Sequence, residues 1–227
     1  MEQTNDIIII TVKALDWTMG EFSDFDLLFP EGTYVRVDWD DGHVSHVRGR
    51  KDWVNVRHEY SQYHKKNETT FHVRIESESP GQITGFRNWS IDMQNISIDL
   101  SQCKMLETLT AEFMSHLDVS ANIHLKKLDI NGYYGQSIDL SSNIELETLY
   151  CHCADLTRLN LHKCESLKKV VCFCCQKLKL VSISNHSALE RLEYDEWTPI
   201  SEKSMGFIRT IIEINGGEIV RDRYGFE

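Results

Sequence analysis

The chain has 227 residues, of which 41% are hydrophobic and 26% charged, and its formal net charge at pH 7 is −11. This length allows one large domain or two small ones, and the composition is that of an ordinary globular protein rather than a disordered or membrane-spanning one. The excess of acids disfavours binding to nucleic acid or to anionic lipid, because long-range electrostatics would repel a polyanion.

The N-terminal residues carry acids where a signal peptide needs a basic stretch. We therefore expect a cytoplasmic protein if Met1 is the native start, and a cell-surface or secreted one if the native chain begins upstream. All cysteines lie between Cys103 and Cys175, and their number, seven, is odd. They cannot all pair within one chain, so reduced thiols in a reducing compartment are the simpler interpretation.

Residues 1–90 contain no cysteine and several runs of strand-like composition, separated by turn-forming residues. Asp41-Gly42, between two of these runs, predicts a β-hairpin. A small antiparallel β-sandwich follows from the five predicted strands, at 7–14, 33–39, 43–47, 53–60 and 70–75.

Three motifs in this part resemble the PKD family of Ig-like domains. That family carries a W-G-D-G-like turn, an H-x-Y triplet and a following Y-x-V-x-I strand. The matching segments here are V-D-W-D-D-G at 37–42, H-E-Y at 58–60 and F-H-V-R-I at 71–75. Asp40 stands where the family has the first glycine of the turn. The resemblance implies a PKD-like β-sandwich over residues 1–90.

One pattern recurs five times in the second half of the chain. It is an apolar-polar-apolar triplet, followed at a fixed offset by a second apolar pair, and the steps between copies are 19, 21, 21 and 22 residues. Such a period predicts a solenoid whose coils each contribute a short strand to one continuous parallel sheet. The triplets begin at Ile98, Leu117, Ile138, Leu159 and Val181.

The clearest copy, L-x-x-L-x-L-x-x-C-x-x-L at 156–167, resembles the leucine-rich repeat. That family uses Asn or Cys after the triplet because the side chain hydrogen-bonds the backbone at the turn. His186 departs from this pattern, so we expect the last coil to turn differently. The unit is also similar to short repeats in leucine-rich-repeat proteins of gut Bacteroides-type bacteria, over about residues 96–197. The residues at the turn position are Cys103, Asn122, Asn143, Cys164 and His186.

A helix is predicted after the repeats. Pro199 breaks the pattern, Ser201 is a good N-cap, and Asn215-Gly216-Gly217 ends the helix near Ile214. We interpret this segment as a cap, because the last coil of a solenoid would otherwise expose its core. The predicted protein is thus mostly β, with a PKD/Ig-like β-sandwich at 1–90, a five-coil leucine-rich-repeat solenoid at 91–198 and a helix-strand cap at 199–227.

Five polar residues, four at the centre of a triplet and one directly after a triplet, form the first candidate binding site, on the predicted concave sheet. Aspartates stacked at strand spacing repel one another unless a cation or a basic partner covers them, which favours a binding surface. The alternative is that each aspartate accepts hydrogen bonds from the amides of its own turn. These residues, called the strip below, are Asp99, Asp118, Asp139, Asn160 and His162.

A cluster of cysteines forms the second candidate site. Thiolates are ligands for zinc, but the usual spacing is C-x2-C rather than the C-x-C found here. Cys151 and Cys172 also occupy the inward column of the repeat, where cysteine packs as a small hydrophobe. Core packing and a metal or thiol-redox site therefore both stay open. The cluster comprises Cys151, Cys153, Cys172, Cys174 and Cys175.

No motif points to a reaction. His58-Glu59 is not followed by a histidine at the H-E-x-x-H spacing, the aspartates before Gly42 lack the remaining ligands of a calcium loop, and no phosphate loop or nucleophile elbow is present. We therefore expect no enzyme, no cofactor and no metal. The predicted function is a non-catalytic interaction or scaffold module that binds a protein or glycan through the solenoid. A metal-binding or thiol-redox protein is the alternative.

Overall fold

The computed structural model describes residues 4–14, 22–60, 70–88 and 93–222. The chain separates into two compact units, Met1–Leu109 and Thr110–Glu227. No helix in the described ranges is long and apolar enough to cross a membrane. The three-part division predicted from the sequence stays a prediction.

The first unit is built from antiparallel strands. One sheet has the order β4-β3-β6-β1-β8, and β2 pairs separately with β5 on one side and β7 on the other. The strands are β1 (Ile7–Ala14), β2 (Phe22–Leu28), β3 (Tyr34–Asp38), β4 (Val44–Arg48), β5 (Val54–Glu59), β6 (Thr70–Ser77), β7 (Gly85–Asn88) and β8 (Met93–Asp99).

The core of this unit follows from the alternation of side chains along the strands. Ile8, Ile10 and Val12 of β1 are buried, and the polar or partly exposed residues lie between them. The ring of Phe25, on β2, lies 5.7 Å from the ring of Trp39, which follows β3 in the other sheet. Side chains of both sheets therefore meet in one core.

All five predicted strands are confirmed, as β1, β3, β4, β5 and β6, with ends within two residues of those expected. Strands β3 and β4 pair across the predicted Asp41-Gly42 hairpin, with Val35 opposite Val47. The sequence analysis missed β2 and β7. Asp24 and Asp26 lower the apparent strand propensity of β2, although Phe25 and Leu27, which alternate with them, are fully buried.

The repeats form a β-solenoid of parallel strands. Within the second unit, β10, β11, β13, β15 and β16 lie side by side in that order, and β12 and β14 form a separate two-stranded sheet. Leu128, Leu149, Val170 and Leu192 are aligned along the longer sheet. The strands are β9 (Thr108–Ala111), β10 (Lys127–Asp129), β11 (Thr148–Tyr150), β12 (Arg158–Leu161), β13 (Lys169–Cys172), β14 (Leu180–Ile183), β15 (Arg191–Asp195) and β16 (Glu218–Asp222).

The same backbone turn follows each triplet. The amide of the residue at the turn position donates to the carbonyl three residues earlier, from Cys103 to Leu100, from Asn122 to Val119 and likewise in the next two copies. In the last coil the donor is Ser187, bonded to Ser184, and His186 is exposed. The prediction that the last coil turns differently is confirmed: the turn falls one residue later.

A buried side chain at this turn also binds the coil before it. Asn143 donates from Nδ2 to the carbonyl oxygens of Val119, at 3.0 Å, and Asn122, at 2.9 Å. Cys164 Sγ lies 3.6 Å from the carbonyl oxygen of Leu140. Turn side chains therefore add a second contact, from the next coil, to carbonyl groups that already accept a backbone amide.

The C-terminal helix, α1 (Glu202–Ile214), is the predicted one. Ser201 caps it by accepting a hydrogen bond from the amide of Ser204, and its buried face consists of Met205, Ile208, Ile211 and Ile212. The chain then turns at Gly216, whose φ is 71°. Gly217 passes so close to the Glu190 carbonyl that no side chain fits there, and β16 then pairs with β15.

We predict that Asn143→Ala destabilises the protein by about 1–3 kcal/mol, because two buried hydrogen bonds between neighbouring coils are lost. The measurement is urea-induced unfolding followed by circular dichroism. Asn185→Ala removes an exposed amide and is the matched control, with an expected change under about 0.5 kcal/mol. Equal shifts for the two variants would show that the side-chain bonds of Asn143 add nothing to stability.

Candidate binding surface

Four strip residues cap their own turns. Oδ1 of each Asp or Asn accepts a hydrogen bond from the backbone amide two residues further on, at 2.9 Å for Asp99, Asp118 and Asp139 and at 3.2 Å for Asn160. This is the Asx turn considered as the alternative in the sequence analysis. It accounts for the recurrence of Asp or Asn at this position.

The turn also sets the charge of these side chains. The amide of Ser120 lowers the pKa of Asp118, and the amide of Ser141 does the same for Asp139, because both amides bond the ionised form. Asp118 acts in the opposite direction on Asp139 and raises its pKa slightly. Backbone amides thus offset the mutual repulsion of these two carboxylates.

The strip does not lie on the continuous sheet, which corrects the expectation from the sequence. That sheet is built from the second apolar pair of each repeat, in β10, β11, β13 and β15. Of the strip residues in the second unit, Asn160 lies in β12, but Asp118 and Asp139 lie in segments without strand pairing. Asp99 ends β8 in the first unit. All five side chains are exposed.

The outer face of the continuous sheet pairs its charges internally. Glu193 Oε1 lies 2.7 Å from Lys169 Nζ and 2.5 Å from Arg191 Nε. Burial opposes ionisation of Glu193, but these two cations hold its pKa below the ordinary value. Lys127 Nζ and Lys169 Nζ lie 5.2 Å and 5.9 Å from the centre of the Tyr150 ring. Glu193 and Tyr150 thus hold Lys169, and each also contacts a second cation of this face.

A groove of about 860 Å³ lies between the strip side of the solenoid and α1. Three strip residues, Asp139, Asn160 and His162, line it, and Lys203, Ser204 and Phe207 contribute from the helix. The helix is fixed against this side, since the amide of Val181 donates to Ser204 Oγ at 3.3 Å. The groove thus combines repeat residues with residues of the cap.

The groove differs in charge from the acid-rich strip that the sequence suggested. Its lining contains one carboxylate, Asp139, and three bases, Arg158, Lys163 and Lys203. Leu180 and Phe207 add apolar surface and are 56% and 45% exposed. Sequence reasoning missed this site because it treated α1 only as a cap. The available signal was Phe207, which lies outside the buried face of the helix.

The cysteine cluster divides into a buried and an accessible part. Cys151, Cys172 and Cys175 are fully buried, and the thiol of Cys175 donates to the Cys151 carbonyl. Cys153 is exposed and Cys174 is partly exposed. Both have left-handed backbone, with φ of 51° and 56°. The structure therefore does not bring the five thiols together at one site.

Acid-base and metal-ligand chemistry is limited for these thiols. Burial and the neighbouring Asp195 carboxylate, whose Oδ2 is 3.3 Å from Cys174 Sγ, raise the pKa of Cys174 to about 12. Burial raises the pKa of Cys164 to about 11. In the described ranges, no cysteine belongs to a group of three residues close enough to share a metal ion.

No family model and no curated protein matches this chain. Among solved structures, one match is the functional domain of InlJ from Listeria monocytogenes, described as including a cysteine ladder. The TM-score is 0.41, the identity is 23%, and the alignment covers 44% of this chain and 23% of that one.

We predict that one thiol, that of Cys153, reacts rapidly with a disulfide reagent such as Ellman's reagent in the folded protein. Cys174 should react more slowly because its pKa is raised to about 12, and the five buried thiols should react only after unfolding. The measurement is the time course of release of the reagent's coloured thiolate, recorded with and without denaturant. Cys153→Ser should remove the fast phase, and a fast phase of three or more thiols would contradict the buried placement.

Proposed function

We propose that this chain is a non-catalytic interaction or scaffold module of the leucine-rich-repeat kind, which binds a protein or glycan through its solenoid. The binding surface consists of Asp118, Asp139, Asn160 and His162 with the adjoining groove, and Asp99 offers the equivalent side chain on the first unit. The observation that carries the proposal is the groove of about 860 Å³ beside side chains that backbone turns hold in place.

Rigidity supports a binding role. The strip aspartates and Asn160 are fixed through Oδ1 by a backbone amide. A surface that is ordered before the partner arrives loses less conformational entropy on binding. Repeat solenoids present such ordered surfaces over several coils.

The groove lining indicates what kind of group would fit. Leu180 and Phe207 offer apolar contact to a side chain or to the apolar face of a sugar. Arg158, Lys163 and Lys203 favour an acidic group of the partner inside the groove, whereas the carboxylates of Asp118 and Asp139 favour a basic group of the same partner beside it. The volume falls within the roughly 300–1,000 Å³ of typical ligand sites.

We propose further that the chain is a bacterial, Bacteroides-type leucine-rich-repeat protein and that its first unit is a PKD-like β-sandwich. The motif residues that carry the resemblance contact one another. The ring of His58 stacks on Trp39 with centroids 4.6 Å apart, and Tyr60 donates from its hydroxyl to the Trp39 carbonyl at 3.2 Å. Their joint role in the core supports the proposal.

A variant carrying Asp99→Asn, Asp118→Asn and Asp139→Asn tests the proposed surface. The amide oxygen of Asn still accepts the turn hydrogen bond, so the variant should lose charge but keep its fold. The partner is first found by screening the intact chain against a glycan panel and purified proteins of the producing cell. The variant should bind this partner more weakly, by about 1 kcal/mol or more of binding free energy, measured by titration calorimetry.

The matched control changes the net charge equally at exposed acids away from the strip, by Glu31→Gln, Glu78→Gln and Glu213→Gln. Its binding should equal that of the wild type. Phe207→Ala, on the helix side of the groove, should weaken binding as the strip variant does. A partner that tolerates both the strip variant and Phe207→Ala would exclude this surface.

The thiol-redox alternative has one observation in its favour, which concerns Cys153 and Cys174 only. They occupy equivalent positions in neighbouring coils, and the two thiols interact. Oxidised glutathione would accept two electrons and two protons from the pair, leaving one disulfide and two molecules of reduced glutathione. A loss of two mass units in the intact protein, absent from Cys153→Ser, would support this function over core packing.

A further inference from the structure

Three potential metal ligands converge in the first unit, although the two sequence segments that supply them match no metal-binding motif. Ligand atoms of Asp41, His43 and His58 all lie within 4.8 Å of one another. Asp41 Oδ2 is 2.8 Å from His58 Nε2, and Asp41 Oδ1 is 3.1 Å from His43 Nδ1. We propose that these residues bind one divalent transition-metal ion of the zinc type.

The hairpin between β3 and β4 holds two of the ligands. Asp40 and Gly42 have left-handed backbone, with φ of 61° and 91°, and the residue between them, Asp41, has a side chain with no exposed surface. The hairpin is anchored to β6, because Asp40 Oδ2 accepts a hydrogen bond from the amide of His72 at 2.9 Å. The carboxylate is therefore directed inward by a fixed turn.

The third ligand comes from β5 and is held by aromatic contacts. The ring of His58 stacks on Trp39, and the ring of Tyr60 meets it edge-on with centroids 4.7 Å apart. Trp39 and Tyr60 are fully buried, so the orientation of the imidazole is fixed. A ligand oriented in advance by its surroundings is typical of functional metal sites.

The spacing of the ligand atoms suits a single ion. Zinc lies about 2.0–2.2 Å from N and O ligands, so ligand atoms in a tetrahedral site are about 3.4 Å apart. Asp41 presents Oδ2 to His58 Nε2 at 2.8 Å and Oδ1 to His43 Nδ1 at 3.1 Å, and one ligand atom from each of the three residues lies within 4.8 Å of the others. The ion would replace the hydrogen now shared between each ring and the carboxylate, and that hydrogen would move to the other ring nitrogen or to solvent.

The ligand types select the metal class. Two imidazoles with one carboxylate suit zinc and similar transition metals, whereas calcium and magnesium prefer oxygen ligands throughout. The side chain of His43 is 62% exposed, so the fourth position faces solvent and water can occupy it. Three protein ligands with one open position form a recurrent zinc arrangement.

A purely structural role is the competing explanation, since the bond between Asp41 and His58 ties the hairpin to β5. A structural role explains Asp41 and His58. It does not require His43, whose ring is mostly exposed yet lies with Nδ1 against the Asp41 carboxylate. His43 is therefore the residue whose removal separates the two explanations.

The test is zinc binding to the full chain, measured by equilibrium dialysis with metal analysis and by titration calorimetry. Cys153→Ser and Cys174→Ser are present throughout, so that accessible thiols take up no zinc. We expect one equivalent of zinc. His43→Ala should weaken binding at least about tenfold, because even the loss of an outer partner of a ligand costs about 10- to 100-fold. His46→Ala, at an exposed histidine of the adjoining strand, should change nothing.

Two further measurements keep the proposal testable. Asp41→Asn retains an acceptor for the His43 amide but loses the carboxylate, and should weaken binding with little effect on folding. Cobalt substitution should give the visible absorption of a nitrogen and oxygen site without thiolate charge transfer. Binding of less than one equivalent, or equal affinity in His43→Ala and His46→Ala, would overturn the proposal and leave a structural hairpin contact.

Discussion

The solenoid depends on buried polar side chains that bind the backbone of the preceding coil. The triplets at 117–119 and 138–140 have no strand pairing, so no sheet joins them to their neighbours. Asn143 instead donates two hydrogen bonds to Val119 and Asn122 of the preceding coil, and the Cys164 thiol makes one weaker contact with the Leu140 carbonyl. These contacts fix the spacing of the coils on the side away from the continuous sheet.

This constraint also determines where the exposed polar groups lie. Each triplet is followed by its turn at a constant offset. In four copies, the Asp or Asn at the centre of the triplet therefore accepts a hydrogen bond from the backbone amide two residues later. The triplet and its turn therefore produce both the buried contacts between coils and the exposed strip. The groove needs one addition that the repeats do not supply, namely Lys203 and Phe207 from the helix.

Much of the fold could be predicted because it depends on local periodicity. The repeat spacing located the coils, Ser201 located the helix, and the alternation in β1 located its buried face. β2 was missed because Asp24 and Asp26 lower its apparent strand propensity, and the continuous sheet was assigned to the wrong segment of each repeat. Periodicity marks both apolar segments of a coil equally and does not say which of them pairs across many neighbours.

The candidate sites were harder to predict because they combine distant parts of the sequence. Asp139, Asn160 and Phe207 meet only through the solenoid and its helix. Asp41 lies in the hairpin between β3 and β4 and His58 lies in β5, and the stacking of His58 on Trp39 holds its ring beside that hairpin. The cysteines gave the opposite difficulty. They are close in sequence, but the coil directs Cys151 and Cys153 to different environments.

The C-terminal segment, α1 with β16, determines how the solenoid can change in length. The edge of β15 receives β16 in the same parallel register that joins β13 to β15, so the last strand is accepted as one more coil would be. A tandem copy of an internal repeat would present that same edge again, and the helix with its two glycines could close it. Copy number is thus free to vary by duplication within the gene, with the terminal segment serving as a reusable stop.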